Sequence, residues 1–183
     1  MSGHSHFKTI KRTKELGDAQ KSRLFSKFAN ELTVLARTGG GDLTGNPRLR
    51  VVVEKAKEAH MPSDNIERAI KRGTGELKGS QLEELLIEAY GPGGFAMLVE
   101  AITDSKNRTL GEIKQILSRH NAKLVGEGGV RWMFDKQGGE WVAKPEMEIA
   151  ISEQDQKAAN LLFEALDEND ATQEVYSNLK EAA

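Results

Sequence analysis

The chain changes character near Gly73, where both the spacing of its apolar residues and the sign of its charge change. Before this point apolar residues recur at helical spacing, whereas the later runs 85–90 and 95–102 have strand-like composition. Residues 1–73 contain 15 Lys and Arg against 8 Asp and Glu, a net charge of +7, and residues 74–183 contain 11 against 20, a net charge of −9. We therefore expect two domains with different roles, residues 1–76 and residues 77–183.

Three helices are predicted in the first domain. An amphipathic helix from residue 18 ends at the triple glycine 39–41, because glycine accepts a left-handed conformation at a helix end. Asn46 is expected to cap a second helix, since Pro47 suits the first helical position. A Met-Pro pair ends that helix, and Ser63 is expected to cap a third helix that ends before Gly73.

The second domain is predicted to be an α/β sandwich. The expected strands are 85–90, 95–102, 130–134, 147–151 and 173–177, and the expected helices are 107–120 and 153–167. From residue 95 this order is ferredoxin-like, with 85–90 as an extra edge strand and a short hairpin at 135–145. The fold class is therefore α+β. Strand alternation places carboxylates on the sheet face opposite the helices, so we expect an acidic face that repels phosphate.

The amino-terminal segment concentrates positive charge. Residues 1–27 contain seven basic side chains against two acidic ones. A charge run is often only a solvated tail, but this one continues into a predicted helix, and such clusters usually bind a polyanion. The charge pattern therefore predicts contact with nucleic-acid phosphates through Lys8, Lys11, Arg12, Lys14, Lys21, Arg23 and Lys27.

Two glycine-rich segments, 39–42 and 91–94, invite comparison with phosphate-binding loops. Neither continues as GKS or GKT, and neither joins a strand to a helix, so a helix end and a hairpin turn explain them. The first segment lies between basic elements. Its backbone N–H groups are therefore candidate donors to nucleic-acid phosphates.

Other functional classes lack the residues that they need. The chain has no cysteine, and His4 and His6 have no fixed carboxylate partner, so we predict no metal site. No nucleophile has a base at recognisable spacing, so we predict no enzyme, no cofactor and no small-molecule substrate. No apolar run approaches the roughly twenty residues that cross a bilayer. We expect no membrane contact and a cytoplasmic protein, or a matrix protein if an organelle signal has been removed.

Several motifs in order resemble one known family. They are GHS at 3–5, ELTVLARTGGGDLTGNPRLR at 31–50, MPSDNIERAIKRGTG at 61–75, YGPGG at 90–94 and NRT at 107–109. Together they resemble the YebC/PmpR family, which includes the mitochondrial translational activator of cytochrome oxidase. The closing segment 173–178 is also similar to the family's terminal QEVYHN-like strand.

The resemblance implies a regulator that binds nucleic acid and catalyses no reaction. Family members are commonly described as DNA-binding transcriptional regulators, and others as translation factors that help the ribosome through consecutive prolines. Carried over by position, the contact region is the GHS arm with the basic helices, supported by the surface around 39–50 and the end of the third helix. This adds six residues to the predicted interface: His4, Ser5, Arg48, Arg50, Lys71 and Arg72.

The sequence departs from the family pattern at two places. After GHS the family usually has a lysine and a tryptophan, whereas this chain has His6 and Phe7. Members also carry an inserted α/β domain before the final strand, helix and strand, where this chain has only residues 135–145. Any role that belongs to the inserted domain is therefore not expected here.

Three functions remain open from the sequence. The first is a nucleic-acid-binding regulator of gene expression, of the kind described as a DNA-binding transcriptional regulator. The alternative is a translation factor that binds the ribosome through ribosomal RNA and relieves stalling at proline-rich sequences. A further alternative is an adaptor whose acidic sheet binds a basic protein partner.

Overall fold

Two compact units make up the chain in the computed structural model, which describes residues 16–180. The first, here called the helical unit, runs to Glu83 and also contains Ile102–Ser105. The second, here called the sheet unit, contains Glu84–Ala101 and continues from Lys106. The domain boundary between residues 76 and 77 stays a prediction.

Three helices form the helical unit: α1 (Asp18–Gly39), α2 (Pro47–Glu58) and α3 (Ser63–Thr74). Their apolar faces meet in a core that includes the fully buried side chains of Leu32 and Leu49. Such burial supplies most of the stability of helices as short as α2 and α3.

One of the two predicted helix caps is confirmed, and the other is wrong. Asn46 caps α2, because its side-chain oxygen accepts from the Leu49 N–H at 3.1 Å. Ser63 does not cap α3. The helix begins at Ser63 itself, so its hydroxyl lies inside the first turn, and Pro62 precedes it without a side-chain cap.

Asn46 also connects α2 to the end of α1. Its buried side-chain nitrogen Nδ2 donates to the carbonyl oxygens of Leu35 at 3.0 Å and Gly40 at 2.9 Å. A Cβ atom on Gly39 would lie only 2.6 Å from this Nδ2. The triple glycine therefore ends α1 and leaves room for the cap of α2.

The sheet unit contains one main sheet, two helices and a separate hairpin. In chain order the elements are β1 (Glu83–Tyr90), β2 (Ala96–Thr103), α4 (Lys106–Arg119), β3 (Lys123–Val125), β4 (Phe134–Gln137), β5 (Glu140–Ala143), α5 (Glu153–Asp167) and β6 (Thr172–Ser177). The main sheet is antiparallel with strand order β3-β1-β2-β6, and β4 pairs only with β5. The predicted α+β class, helices first and then a sheet with helices, is confirmed.

The strand predictions need three corrections. The strand expected at the edge, β1, lies inside the sheet, because the three-residue strand β3 pairs with it at Glu88 and Val125. Residues 131–133 form a 3₁₀ turn, and within 147–151 only Ile149 makes an isolated bridge. The apolar residues at 130, 132 and 134 alternate as in a strand, but the pattern also fits this turn. Val130 and Phe134 are buried, whereas Trp132 between them is exposed.

Both faces of the main sheet are covered. On one face, α4 and α5 bury Ile113 and Leu162 against Met97 of β2. On the other face, the hairpin β4–β5 packs Phe134 and other side chains against Leu98. The expected acidic face is therefore partly covered by the chain's own hairpin: Glu88 is buried, whereas Glu174, which pairs with Glu100 across the sheet, is exposed.

Glu88 is one of the carboxylates on the covered face. It is 3% exposed and accepts from the N–H groups of Gly128 at 2.6 Å, Val130 at 2.8 Å and Arg131 at 2.8 Å. Burial acts to raise its pKa, but the three backbone donors and the nearby Arg131 charge outweigh burial and hold the pKa below its ordinary value of 4.5. Glu88 therefore anchors the loop that leads from β3 towards the hairpin.

Glu100 is the second carboxylate on this face. It accepts from the indole N–H of Trp141 at 2.9 Å, and the Lys136 ammonium lies 3.9 Å from it and 5.1 Å from the Trp141 ring. Burial raises the pKa of Glu100, while Lys136 and the Trp141 hydrogen bond act in the opposite direction. These contacts tie the hairpin to β2.

We predict that Glu88→Gln lowers the free energy of unfolding by about 2 to 3 kcal/mol at pH 7, because an amide cannot accept from all three N–H groups as a carboxylate does. The folded pKa is depressed, so the carboxylate's contribution is present above pH 4.5 and is lost as the pH falls through the lower folded pKa. The deficit of the variant should therefore shrink in urea unfolding measured from pH 7 to pH 3.

The matched control is Glu84→Gln, because Glu84 is an exposed carboxylate on the same strand. It should change the free energy of unfolding by less than about 0.5 kcal/mol. An equal loss in both variants, or a deficit of Glu88→Gln that does not vary with pH, would contradict the anchoring role.

Candidate nucleic-acid interface

Nearly half of the predicted interface lies outside the described residues. These positions are His4, Ser5, Lys8, Lys11, Arg12 and Lys14. Their contact with nucleic acid stays a prediction.

Three of the remaining predicted residues lie in the first half of α1. Lys21 and Arg23 are half-buried, and Lys27 is only 9% exposed. Arg23 and Lys27 also have interaction partners within the protein. Lys27 is therefore more buried than its neighbours in the predicted interface, and its contact with nucleic acid stays a prediction. Helix α1 packs against both α2 and α3, so its buried surface is wider than one apolar stripe, and the methylenes of a lysine can occupy part of it.

Two predicted arginines lie on α2. Arg48 and Arg50 are both exposed near its start. Residues two apart on a helix face different directions, so the two guanidinium groups do not form one patch.

The last two predicted residues, Lys71 and Arg72, are exposed in the last turn of α3. Cations at this end of a helix also complement its dipole. Arg72 also lines a groove between α1 and α3.

The backbone of the glycine segment offers fewer free donors than the sequence predicts. The Gly40 N–H donates to the Ala36 carbonyl at 2.9 Å. The Asp42 carboxylate accepts from the N–H groups of Thr44 at 3.1 Å and Gly45 at 3.2 Å. The Gly40 N–H is therefore not available to phosphate, and neither are those of Thr44 and Gly45, which follow segment 39–42.

A groove between α1 and α3 brings polar and apolar groups together. We call it the α1–α3 groove; it has a volume of about 230 Å³. It is lined by Ser22, Phe25, Ser26, Ala29, Met61, Asn65, Arg68 and Arg72. The α1 residues follow i, i+3, i+4, i+7 spacing, and the α3 residues follow i, i+3, i+7 spacing, so each set lies on one helix face.

The chemistry of the groove suits an anionic ligand with an apolar part. Arg68 and Arg72 are exposed, and no ion pair joins either guanidinium to another described residue. Phe25 is half-buried and Met61 is 5% exposed, so the floor is apolar. Sequence reasoning missed Arg68, Asn65 and Phe25, although the spacing of Asn65 and Arg68 with Arg72 was a usable signal.

The width of the groove depends on a close contact between its two helices. A Cβ atom on Gly73 would lie 2.3 Å from the Thr33 carbonyl oxygen and 2.7 Å from the Ala36 Cβ. The Thr33 hydroxyl lies 2.7 Å from the Ala29 carbonyl oxygen and 3.0 Å from that of Ala69, and it donates to them. Gly73 and Thr33 therefore hold α3 directly against α1.

Two further site types have no counterpart in residues 16–180. In this part of the chain no three histidine or carboxylate side chains converge as a metal site requires. Nor does any helix in the same range combine the length and the hydropathy of a membrane span.

Comparison with known families identifies the chain. Residues 5–76 match the TACO1/YebC protein N-terminal domain, and residues 82–140 match the TACO1/YebC second and third domain. The chain belongs to the TACO1/YebC family. The α1–α3 groove lies entirely within the matched N-terminal domain.

Individual TACO1/YebC relatives support this assignment. A probable transcriptional regulatory protein of Desulfosudis oleivorans is 48% identical, over 92% of this chain and 72% of its own length. One from Geobacter sulfurreducens is 53% identical, over 75% of this chain and 56% of its own length. A crystal structure of a conserved hypothetical protein from Aquifex aeolicus has a TM-score of 0.76 and 33% identity, covering 89% of this chain and 91% of that one.

The curated TACO1/YebC relatives are longer than the region they share with this chain. The matched regions span between 54% and 72% of the length of these relatives. The match to the second and third domain ends at residue 140, close to the hairpin β4–β5.

We predict that Gly73→Ala lowers the free energy of unfolding by about 1 to 3 kcal/mol, because the added methyl group overpacks a contact made by backbone atoms. The matched control is Gly111→Ala in α4, where a Cβ atom has no neighbour within 4 Å. That control should stabilise the protein by about 0.5 to 1 kcal/mol, since alanine favours helix over glycine. Urea unfolding followed by circular dichroism measures both, and effects of the same sign would contradict the close contact.

Proposed function

We propose that this chain is a nucleic-acid-binding regulator of gene expression, and that its helical unit contacts the phosphates. The observation that carries the proposal is the pair of exposed guanidinium groups, Arg68 and Arg72, at the rim of the α1–α3 groove. The names of the bacterial relatives, probable transcriptional regulatory proteins, support the regulatory role. The proposal involves no catalytic step and includes a cytoplasmic location.

The charge of the chain favours the helical unit as the binding surface. Residues 1–73 have a net charge of +7, whereas residues 74–183 have a net charge of −9. The sheet unit also packs its own elements against both faces of its main sheet. A polyanion is therefore attracted by the first part of the chain and repelled by the second.

The amino-terminal cations belong to the same proposal. Lys8, Lys11 and Arg12 precede α1 in the sequence, and we propose that they add phosphate contacts to those of the groove. Each phosphate that a cation neutralises releases counterions, so binding should weaken steeply as the salt concentration rises.

We predict that Arg68→Ala with Arg72→Ala weakens binding to nucleic acid and reduces the slope of log K against log salt by about 2, since two phosphate contacts are lost. Fluorescence anisotropy with labelled duplex DNA and structured RNA, titrated from low to physiological salt, measures both quantities. The matched control is Lys55→Ala with Lys57→Ala, which removes the same charge from exposed positions of α2. Equal slopes for the two double variants would contradict contact at the groove.

Two further experiments identify the class of nucleic acid. A transcriptional role predicts protection of a defined DNA site that survives moderate salt. A translational role predicts cosedimentation with ribosomes that is lost when Lys8, Lys11 and Arg12 are changed to alanine. Absence of salt-dependent binding to both DNA and RNA would overturn the proposed function.

A further inference from the structure

The α1–α3 groove differs from a simple phosphate-binding patch. A phosphate patch needs only cations and N–H groups, but this groove has an apolar floor made by Phe25, Ala29 and Met61. We infer that the groove holds one unpaired nucleotide of a single-stranded RNA, with its base on Phe25 and its phosphates on Arg68 and Arg72. The inference rests on the proposed function and specifies the ligand of that site.

The floor supplies a rigid surface for the flat face of a base. Phe25 is half-buried and packs against the core of the helical unit while it also lines the groove. Met61 also lines the groove, but it is only 5% exposed and belongs to the core, so it supports the floor from below. Stacking of a base on an aromatic side chain is a main source of affinity for single strands and tolerates different sequences.

The polar groups of the groove match the other parts of a nucleotide. Arg68 and Arg72 are one helical turn apart on α3, so they can contact neighbouring phosphates of one strand. Asn65 lies one turn before Arg68, and its amide has both donors and acceptors for the edge of a base. The charged groups thus lie along α3, and the apolar surface lies beside them on the floor of the groove.

Two serines favour RNA as the strand. Ser22 and Ser26 lie one turn apart on α1 and line the same groove as the arginines. Their hydroxyl groups can donate to and accept from a ribose 2′-OH, which is the group that distinguishes RNA from DNA.

Contact with the floor of the groove requires an unstacked base. The groove, with a volume of about 230 Å³, has room for a single base, which must leave its stack to reach Phe25. In a duplex both faces of each base are stacked and its pairing edge is occupied. A duplex can therefore meet Arg68 and Arg72 only through its phosphates.

The test compares Phe25→Leu with Phe28→Leu. Both phenylalanines are half-buried on α1 and pack against the same core, but only Phe25 lines the groove. Anisotropy is measured with a single-stranded RNA of mixed sequence, the DNA strand of the same sequence and the RNA duplex. We expect Phe25→Leu to weaken binding of the single-stranded RNA about tenfold and to leave duplex binding unchanged.

Phe28→Leu should leave binding of all three ligands unchanged, and urea unfolding of both variants checks that their stability is similar. Asn65→Ala should weaken binding of the single-stranded RNA without affecting the duplex. Arg72→Ala should weaken binding of both, because phosphate contact is common to them. In the unchanged protein the single-stranded RNA should bind more tightly than the DNA strand.

A second readout does not depend on variants. The RNA is prepared with 4-thiouridine in place of uridine, irradiated with the unchanged protein and mapped by mass spectrometry. The crosslink is expected on the α1 segment that contains Phe25 or on the α3 segment that contains Asn65. A crosslink confined to the sheet unit would overturn the inference.

Three other results would also overturn it. The first is that Phe25→Leu and Phe28→Leu have equal effects on binding of the single-stranded RNA. The second is equal affinity of the unchanged protein for the RNA and DNA strands. The third is binding of an acidic amphipathic peptide that Phe25→Leu weakens and that RNA does not displace. The last result would assign the groove to a protein partner. Failure of this inference is separable from failure of the proposed function, because duplex binding that depends on Arg68 and Arg72 would still support the latter.

Discussion

The close approach of α3 to α1 at Gly73 is the contact on which the helical unit depends. Only a residue without a Cβ atom allows the backbone of α3 to lie against the Thr33 carbonyl, and the Thr33 hydroxyl then reaches the backbone of α3 at Ala69. Because Phe25 belongs to α1 and Arg68 belongs to α3, this contact also sets the distance between the apolar floor and the charged rim. The buried Asn46 completes the arrangement by joining the end of α1 to the start of α2.

The sheet unit uses buried carboxylates for a different purpose. Glu88 satisfies three backbone N–H groups of one loop, and Glu100 accepts from Trp141 of the hairpin. Both interactions fix chain segments over a sheet face that would otherwise be open. The negative charge of this unit is therefore partly structural.

Local sequence signals predicted much of the fold because the interactions behind them are local. The extent of α2, the Asn46 cap and the glycine end of α1 follow from residues within one or two turns, whereas α3 continues past Gly73, where its end was expected, to Thr74. The prediction failed where pairing between distant segments decides the outcome. Strand β3 has three residues and no strand-like sequence pattern of its own, and it forms because β1 pairs with it. This pairing places β1 in the interior of the sheet and not at its edge.

The sequence by itself determined the helical character of the first part of the chain, the α+β class and the division of charge, since composition and periodicity express these directly. Only the tertiary structure decided which cations share a surface. Lys27 is buried because two helices pack against α1. The side chains of Arg48 and Arg50 point in different directions because the two residues are two positions apart on α2. Arg68 lines the same groove as Phe25 because Gly73 lets the two helices touch, and helical spacing alone does not show that these two residues share a surface.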